Sequence, residues 1–329
     1  MTDRSPARPS FTVVRADLAH ATGDTALNGA VVAIGNFEGV HRGHRAVIEV
    51  ALARGRALGG RKVAVLTFEP HPRAVFRPDE PVFRLSDEAT KLRLLARTGL
   101  DGAIVMRFDA ALAALSAEDF VQRILVERFA VAGVVVGFDF HFGKGRAGSP
   151  DFLAEAGRGH GFTVDIVPPF SDDGVRVSSG AIRSALVAGE VEAAAGLLGH
   201  PWFVTGEVVH GDKRGRTLGF PTANLRLDPA CGLKHGVYAV RAGLGGARHD
   251  GVANFGRRPM FDSGVVLLEV FLFDFARDIY GAILDVAFIH WIRPELSFAS
   301  VGDLVRRMDE DCGLARAALA RAPDAFPPI

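Results

Sequence analysis

The chain has 329 residues, 48% of them apolar and 23% charged, a balance that fits about two globular domains and excludes a disordered chain. Lysine plus arginine equals aspartate plus glutamate at 38 each, so no net field draws the chain to nucleic acid or to a membrane surface, and any phosphate must be gripped by local basic loops. Two cysteines (Cys231 and Cys312) without a C-x-x-C pair, no apolar leader in residues 1–15, and no apolar run of the ~20 residues needed to span a bilayer together lead us to expect a cytoplasmic protein with neither disulfide framework nor zinc site.

The first element in the reading is Val31–Ile34, a short apolar run expected as a buried parallel strand and closed by Gly35. Asn36-Phe37-Glu38-Gly39-Val40-His41-Arg42-Gly43-His44 follows, and from His44 a helical pattern (Val47, Ile48, Ala51, Leu52) runs to Gly59-Gly60. Strand, glycine loop and helix present backbone N–H groups and a positive helix end to an anion. His41 and His44, three apart, can face the same side, which suggests nucleotide phosphate recognition in a doubly wound sheet. H-x-x-H could also be half a metal site, but no nearby Cys/His cluster completes it.

Lys62–Leu66 reads as a second strand, running into Thr67-Phe68-Glu69-Pro70-His71-Pro72-Arg73, expected as a rigid loop because of its two prolines. Ser86–Ala96 reads as a helix with Ser86 as N-cap, Gly102–Met106 as a strand and Glu118–Phe129 as a helix. Gly133–Gly137 is a further strand, leading into Phe138-Asp139-Phe140-His141-Phe142 and the cationic Gly143-Lys144-Gly145-Arg146. Strand alternation would set the three phenylalanines against Asp139 and His141. Thr163–Val167 is a fifth strand, followed by Arg176, serines at a helix start (Ser178, Ser179) and Arg183 one turn in. Each polar cluster has an ordinary surface explanation, but together they fall at strand carboxyl ends of an α/β Rossmann-like sheet, as one site would.

Val187–Leu198 reads as an alanine-rich helix bridging two domains. Beyond it, Trp202–Val209, Val237–Ala242, Gly251–Asn254, Val265–Phe273 and Ile283–Ile289 are short runs at hairpin spacing, expected as an antiparallel β-barrel, with a terminal helix over Ser300–Ala320. A basic glycine hairpin carries Gly206, Gly211, Lys213, Arg214, Gly215, Arg216 and Gly219, then Phe220-Pro221-Thr222-Ala223-Asn224. It lacks the G-x-x-x-x-G-K-[ST] pattern of a Walker A loop. Glu269 shares a strand face with Phe271 and Phe273, where aromatic surroundings would disfavour its charged form and make it a better base.

The string G-N-F-E-G-V-H-R-G-H, G-R-x-L-G-F-P-T-A-N and the surroundings of Glu269, in that order, resemble the bifunctional bacterial riboflavin kinase/FAD synthetase family from about Val13 to Leu319. The resemblance implies a nucleotidylyltransferase domain (1–186) that adenylates FMN to FAD with release of pyrophosphate, then a barrel kinase domain (187–329) that phosphorylates riboflavin with MgATP. It places His41 and His44 on the triphosphate, with Gly35, Asn36 and Phe37 in the first nucleotide loop and Arg176, Ser179 and Arg183 in the second phosphate motif. Asp139, Phe140 and Phe142 fall where family members hold flavin and nucleotide. In the barrel, Gly211, Lys213, Arg216 and Gly219 bind phosphate, Thr222 and Asn224 hold Mg²⁺, and Glu269 is the general base on the ribityl 5′-hydroxyl. The chain departs from the family at Glu38 (usually Asp), Gly180 (often Thr or Ser), Met260 (often Thr) and Phe271 (often His). The alternatives are a chain with one live activity and a catalytically silent flavin or nucleotide binder. Riboflavin, FMN and ATP are the expected partners, with no nucleic acid and no membrane.

Overall fold

The computed structural model describes residues 10–19, 25–172, 174–211, 215, 218–257 and 266–329. The chain divides into two compact units, Met1–Pro81 with Asp87–Val177 and Ile329, and Val82–Ser86 with Ser178–Pro328.

The N-terminal unit is built on a six-stranded parallel sheet: β1 (Thr12–Ala16), β2 (Val31–Ile34), β3 (Val63–Glu69), β4 (Gly102–Arg107), β5 (Gly133–Gly137) and β6 (Thr163–Val167). Their order is β1-β4-β3-β2-β5-β6. The strands β2, β3 and β5 are almost uninterrupted Val, Ala, Ile and Leu because both sheet faces are covered; all four residues of β2 are buried. The chain steps from β2 towards β3 and β4, then returns to the other side of β2 for β5. The carboxyl ends of β2 and β5 are therefore the topological switch point, where an open α/β sheet leaves a crevice for a ligand.

Several boundaries differ from those expected. Strand β1 was not anticipated, because T-V-V-R-A is a half-exposed edge strand whose Arg15 pairs with Glu88 instead of joining the apolar run. Strand β3 continues through Thr67 and Phe68 to Glu69, paired with β4 as far as Arg107; Pro70 ends it, and Pro72 opens the short helix Pro72–Phe76. The helix Glu88–Leu95 is capped by Asp87, which accepts from the Thr90 N–H at 2.7 Å, not by Ser86. Phe120–Arg128 winds as a π-helix. Phe138 to His141 form a turn, so alternation does not apply: Phe138 and Asp139 are exposed while Phe142 is buried in the core.

In the second unit the helix expected over Val187–Leu198 is two helices, Ser179–Ala188 and Val191–Leu198, because Gly189 adopts φ 83°, the left-handed conformation that ends a helix. The barrel is closed and has six antiparallel strands: β9 (Phe203–Val209), β10 (Ala223–Leu227), β11 (Gly236–Leu244), β12 (Ala247–Arg257), β13 (Val266–Leu272) and β14 (Ile283–Arg293), counting after the small hairpin β7 (Ser171–Asp172) and β8 (Val175–Arg176) of the first unit. The unanticipated β10 carries Asn224 and closes the barrel between β9 and β13. Leu225, Val240, Phe255, Leu268, Val270, Val286 and Phe288 fill the interior, each wholly buried. The terminal helix Val301–Arg321, capped by Ser300, is fastened to the barrel by the buried pair Arg293–Asp311 at 2.6 Å and by Arg241, which donates to the Leu319 carbonyl at 3.0 Å.

The expected architecture is thus the observed one, an α/β unit with a parallel sheet followed by a closed antiparallel barrel and a terminal helix. Replacing Asp87 by Ala removes the cap that orders the helix Glu88–Leu95 and should lower stability by about 1 kcal/mol, read from urea unfolding of the full chain.

Candidate functional site

In the N-terminal unit the loop leaving β2 is held by its own backbone. Gly35 donates to the Leu66 carbonyl at 3.1 Å. Phe37 takes φ 50° and Val40 φ 43°, left-handed conformations rare for such residues, and the Phe37 ring is buried at 1% exposure beneath the loop. A turn of 3₁₀-helix, Glu38–Val40, then delivers His41 as N-cap of the helix Arg42–Ala57. His41 Nδ1 accepts from the His44 N–H at 3.2 Å, which in the neutral ring puts the proton on Nε2. The two imidazoles stack, centroids 3.5 Å apart and planes 14° apart, as the spacing led us to expect.

His44 Nδ1 is buried with no hydrogen-bond partner. Burial pushes the His44 pKa well below the usual 6.5, and the charges of His41 and Lys91 push it the same way. A buried polar atom without a partner is uncommon in a folded chain and marks a place where something else can bond. Beneath the loop, Thr67 is wholly buried and donates from Oγ1 to the Asn36 carbonyl at 3.1 Å. Lys91, 2% exposed, donates to that same Oγ1 at 3.2 Å and to Glu69 Oε1 at 2.7 Å. Glu38 is also buried, its Oε2 3.8 Å from His71 Nε2, so the extra methylene that sets it apart from aspartate carries the carboxylate towards that ring.

At the other switch-point loop, Arg176 on β8 pairs with Asp139 at 2.6 Å and lies over the Phe138 ring, 4.7 Å from its centroid. Arg42 pairs with Asp172, one contact at 3.1 Å, and lies over Phe170. Phe140 and Phe142 stack at 5.4 Å, but Phe142 also packs on Phe120 and Phe152 and belongs to the core. Ser179 and Arg183 pack with the second unit: Ser179 begins a helix capped by Ser178, and Arg183 Nε donates to the Phe83 carbonyl at 2.6 Å. A Cβ on Gly180 would meet only the Ser178 hydroxyl, at 3.7 Å, so the position has room for a side chain.

In the barrel, Asn224 on β10 and Asn254 on β12 are each the direct cross-strand partner of Glu269 on β13. Directly opposed residues share a face, so Asn224, Glu269 and Asn254 form one polar row. Leu268 and Val270 point into the barrel while Glu269 and Phe271 take the outer face, as alternation predicts. Asn224 is 5% exposed; its Nδ2 donates to the Thr222 carbonyl at 3.3 Å, and its Oδ1 is buried without a partner. The Gly211 backbone lies against this amide so closely that a Cβ there would fall 2.6 Å from Asn224 Nδ2. Gly219 has φ 89°. Phe220 packs edge-on against Phe271, centroids 5.3 Å apart. Lys213, Arg216 and Met260 lie outside the described residues. A cavity of about 500 Å³ opens beside Thr222, lined also by Val208, Val270, Leu272, Phe275 and Tyr280.

Among the described residues no cluster of three or more His, Cys, Asp or Glu could hold a metal, and no helix is long and apolar enough to cross a membrane. Cys231 and Cys312 are free, their thiols raised to about 11 chiefly by burial. Sequence reasoning missed Thr67, Lys91 and Asn254. A lysine three and four residues before Leu94 and Leu95, on the apolar face of its helix, was the signal for Lys91.

A parallel-sheet unit with stacked histidines at its switch point, followed by a barrel that carries a polar Asn/Glu row and a cavity beside Thr222, defines a two-module protein of the nucleotide-dependent transferase kind. Comparison with known proteins makes this specific. The FAD synthetase family model matches residues 24–181 and the riboflavin kinase family model residues 198–319. The bifunctional riboflavin kinase/FMN adenylyltransferase of Escherichia coli K12 is 43% identical over 284 residues, covering 86% of this chain and 90% of that protein. The protein of the same description from Bacillus subtilis 168 is 37% identical over 294 residues, covering 86% and 90%. A crystal structure from Streptococcus pneumoniae, described as that of a macrolide-efflux protein, superposes with TM-score 0.82 at 32% identity, covering 92% of this chain and 99% of that one. The chain belongs to the bifunctional riboflavin kinase/FMN adenylyltransferase family.

Two outcomes test the site. Because the folded state holds His44 below 6.5, the unfolded chain binds more protons as pH falls beneath that value, so stability is lost on acidification. Urea midpoints should fall as the pH drops below about 6.5, and His44→Asn should flatten that fall. Gly180→Ala should raise stability by up to about 1 kcal/mol through helix propensity alone, measured the same way.

Proposed function

We propose that this chain makes FMN and then FAD: the barrel transfers the γ-phosphoryl group of ATP to the riboflavin 5′-hydroxyl, and the N-terminal domain joins FMN to the AMP part of ATP. The division of labour falls near residue 186, with the first activity in 187–329 and the second in 1–186. The observation that supports the reading is the pair of partnerless buried polar atoms, His44 Nδ1 and Asn224 Oδ1, one in each module and each on a motif whose resemblance to the family implies contact with ATP phosphates or their metal.

In the kinase step Glu269 takes the proton of the ribityl hydroxyl as its oxygen bonds to the γ-phosphorus and the bond to ADP breaks. Glu269 is aimed by strand register, and the Asn224 and Asn254 amides on either side keep its row polar. Thr222 and Asn224 would hold Mg²⁺: a hydroxyl and a buried amide oxygen are hard donors, and Asn224 Oδ1 has capacity to spare. When bound, the ion neutralises charge on the transferring phosphates. Gly211 brings backbone against this amide where a side chain would collide, and Lys213, Arg216 and Gly219 complete the phosphate contacts.

In the adenylyl step a phosphate oxygen of FMN attacks the α-phosphorus of ATP and pyrophosphate leaves. No protein nucleophile is needed, only stabilisation of charge on the phosphates. The first nucleotide loop (Gly35, Asn36, Phe37), His41 Nε2, His44 and Arg176 supply donors, and Ser179 and Arg183 are further phosphate contacts. Asp139 and Phe140 lie on the flavin side, with Phe142 supporting Phe140 from within the core. The substrates are riboflavin, FMN and ATP, and the setting is the cytoplasm.

The test is the full chain with riboflavin and MgATP, following FMN and FAD by chromatography. Glu269→Gln should cut FMN formation by about 10²–10⁴-fold while FMN still becomes FAD. His44→Ala should do the reverse, slowing FAD formation by about 10²-fold or more. A single substitution that abolishes both conversions in folded protein would refute the division.

A further inference from the structure

The cluster of buried charge that the mechanism leaves unused lies beneath the β2 loop. The buried Thr67 of β3 and Lys91 of the helix Glu88–Leu95, with the largely covered Glu69, form there a chain of hydrogen bonds that ends on one backbone carbonyl. Lys91 Nζ donates to Glu69 Oε1 at 2.7 Å and to Thr67 Oγ1 at 3.2 Å, and Thr67 Oγ1 donates onward to the Asn36 carbonyl at 3.1 Å. Lys91 is 2% exposed and Thr67 wholly buried, so neither reaches a ligand and both act only through what they hold.

We propose that Thr67, oriented by Lys91, is a positioning residue for ATP in the adenylyl step, a strut that holds the Asn36 carbonyl and with it the conformation of the first nucleotide loop. The inference rests on the N-terminal module being the adenylyltransferase. The loop needs such a strut because Phe37 and Val40, directly downstream, sit at φ 50° and 43°. Non-glycine residues persist in that region only where their surroundings over-determine them. The Thr67 hydroxyl is polarised from one side by an ammonium and spends its single proton on the Asn36 carbonyl, which fixes the direction of the bond. Glu69 compensates the buried charge that makes this possible. Without the strut the loop would populate its unstrained conformations, and ATP affinity would fall by the fraction of chains still competent to bind.

The effect therefore belongs to the KM for ATP more than to kcat. In the full chain, with saturating FMN and FAD as the readout, Thr67→Val should raise the KM for ATP about tenfold with kcat within about threefold, the signature of a lost pre-organised fraction. Thr67→Ser, which returns the hydroxyl, should recover most of that loss. Replacing the pair together (Lys91→Met with Glu69→Gln) avoids an uncompensated buried charge and should raise the KM similarly. Adding Thr67→Val to that pair should worsen it by no more than about twofold, because all three changes break one strut. The proposal is overturned if Thr67→Val leaves the KM within twofold, if Thr67→Ser does not recover it, or if the combined variant multiplies the separate effects. Riboflavin phosphorylation in the same preparation, together with an unchanged melting profile, identifies folded protein. Should the Lys91 pair fail to fold, the Thr67 variants, which alter one hydroxyl or methyl, decide alone. A wild-type chain that makes FMN but no FAD would instead sink the reading of the N-terminal module.

Discussion

Two side-chain-bearing residues forced into the left-handed backbone region within four positions, Phe37 and Val40, are the constraint on which the N-terminal site depends. Each such residue costs of order 1–3 kcal/mol. The fold offsets this locally: burying the Phe37 ring contributes about 2–3 kcal/mol, and Gly35 and Asn36 are tied to β3 on either side of the crossing. The strained path turns the chain sharply enough after β2 for His41 to cap the next helix and for His44 to stack on it. Relaxed backbone would carry the histidines elsewhere, so strain here is the means by which two imidazoles are aimed at one place.

The barrel reaches the same end without strain. Glu269 is placed by register: Leu268 and Val270, its neighbours in sequence, are wholly buried, and a slip of one residue would drive Glu269 inside and both of them out. The hydrophobic effect thus fixes a carboxylate it does not touch, and the same register sets Asn224 and Asn254 beside it. Because Asn224 lies on β10, closure of the barrel between β9 and β13 and assembly of this row are one event.

The sequence was most legible where chemistry and burial coincide. The strands Val31–Ile34, Gly133–Gly137 and Thr163–Val167 have the bounds expected of them; the first two are covered on both faces and read as apolar runs with abrupt ends, while the third is a half-exposed edge strand that ends before Pro168-Pro169. Thr12–Ala16 and Ala223–Leu227 were missed because an edge strand and a short barrel strand carrying Asn and Arg have no such run. That His41 and His44 face one side was legible from their spacing, whereas the Thr222–Asn224 motif was legible only through the family resemblance. Phe142 reads as a flavin contact through the family resemblance around Asp139, and packing places its ring in the core. Lys91 shows its burial by standing on the apolar face of its helix, but its role is not legible, because its partners lie 22 and 24 residues away, on a strand expected to end before them.

A chain with zero net charge must still attract two polyanionic nucleotides, and the distribution of its charges shows how that is reconciled. With a screening length near 8 Å in physiological salt, distant charges are silent and only those lining a site act. At the switch point Arg42 and Arg176 already have carboxylate partners, Asp172 and Asp139. The Arg176–Asp139 pair is more than half exposed on both sides, so it contributes about 0–1 kcal/mol and can yield its guanidinium to a phosphate at little loss. The buried cation Lys91 is the opposite case. Enclosed with Glu69, it cannot be lent to a ligand, and its charge helps keep His44 neutral.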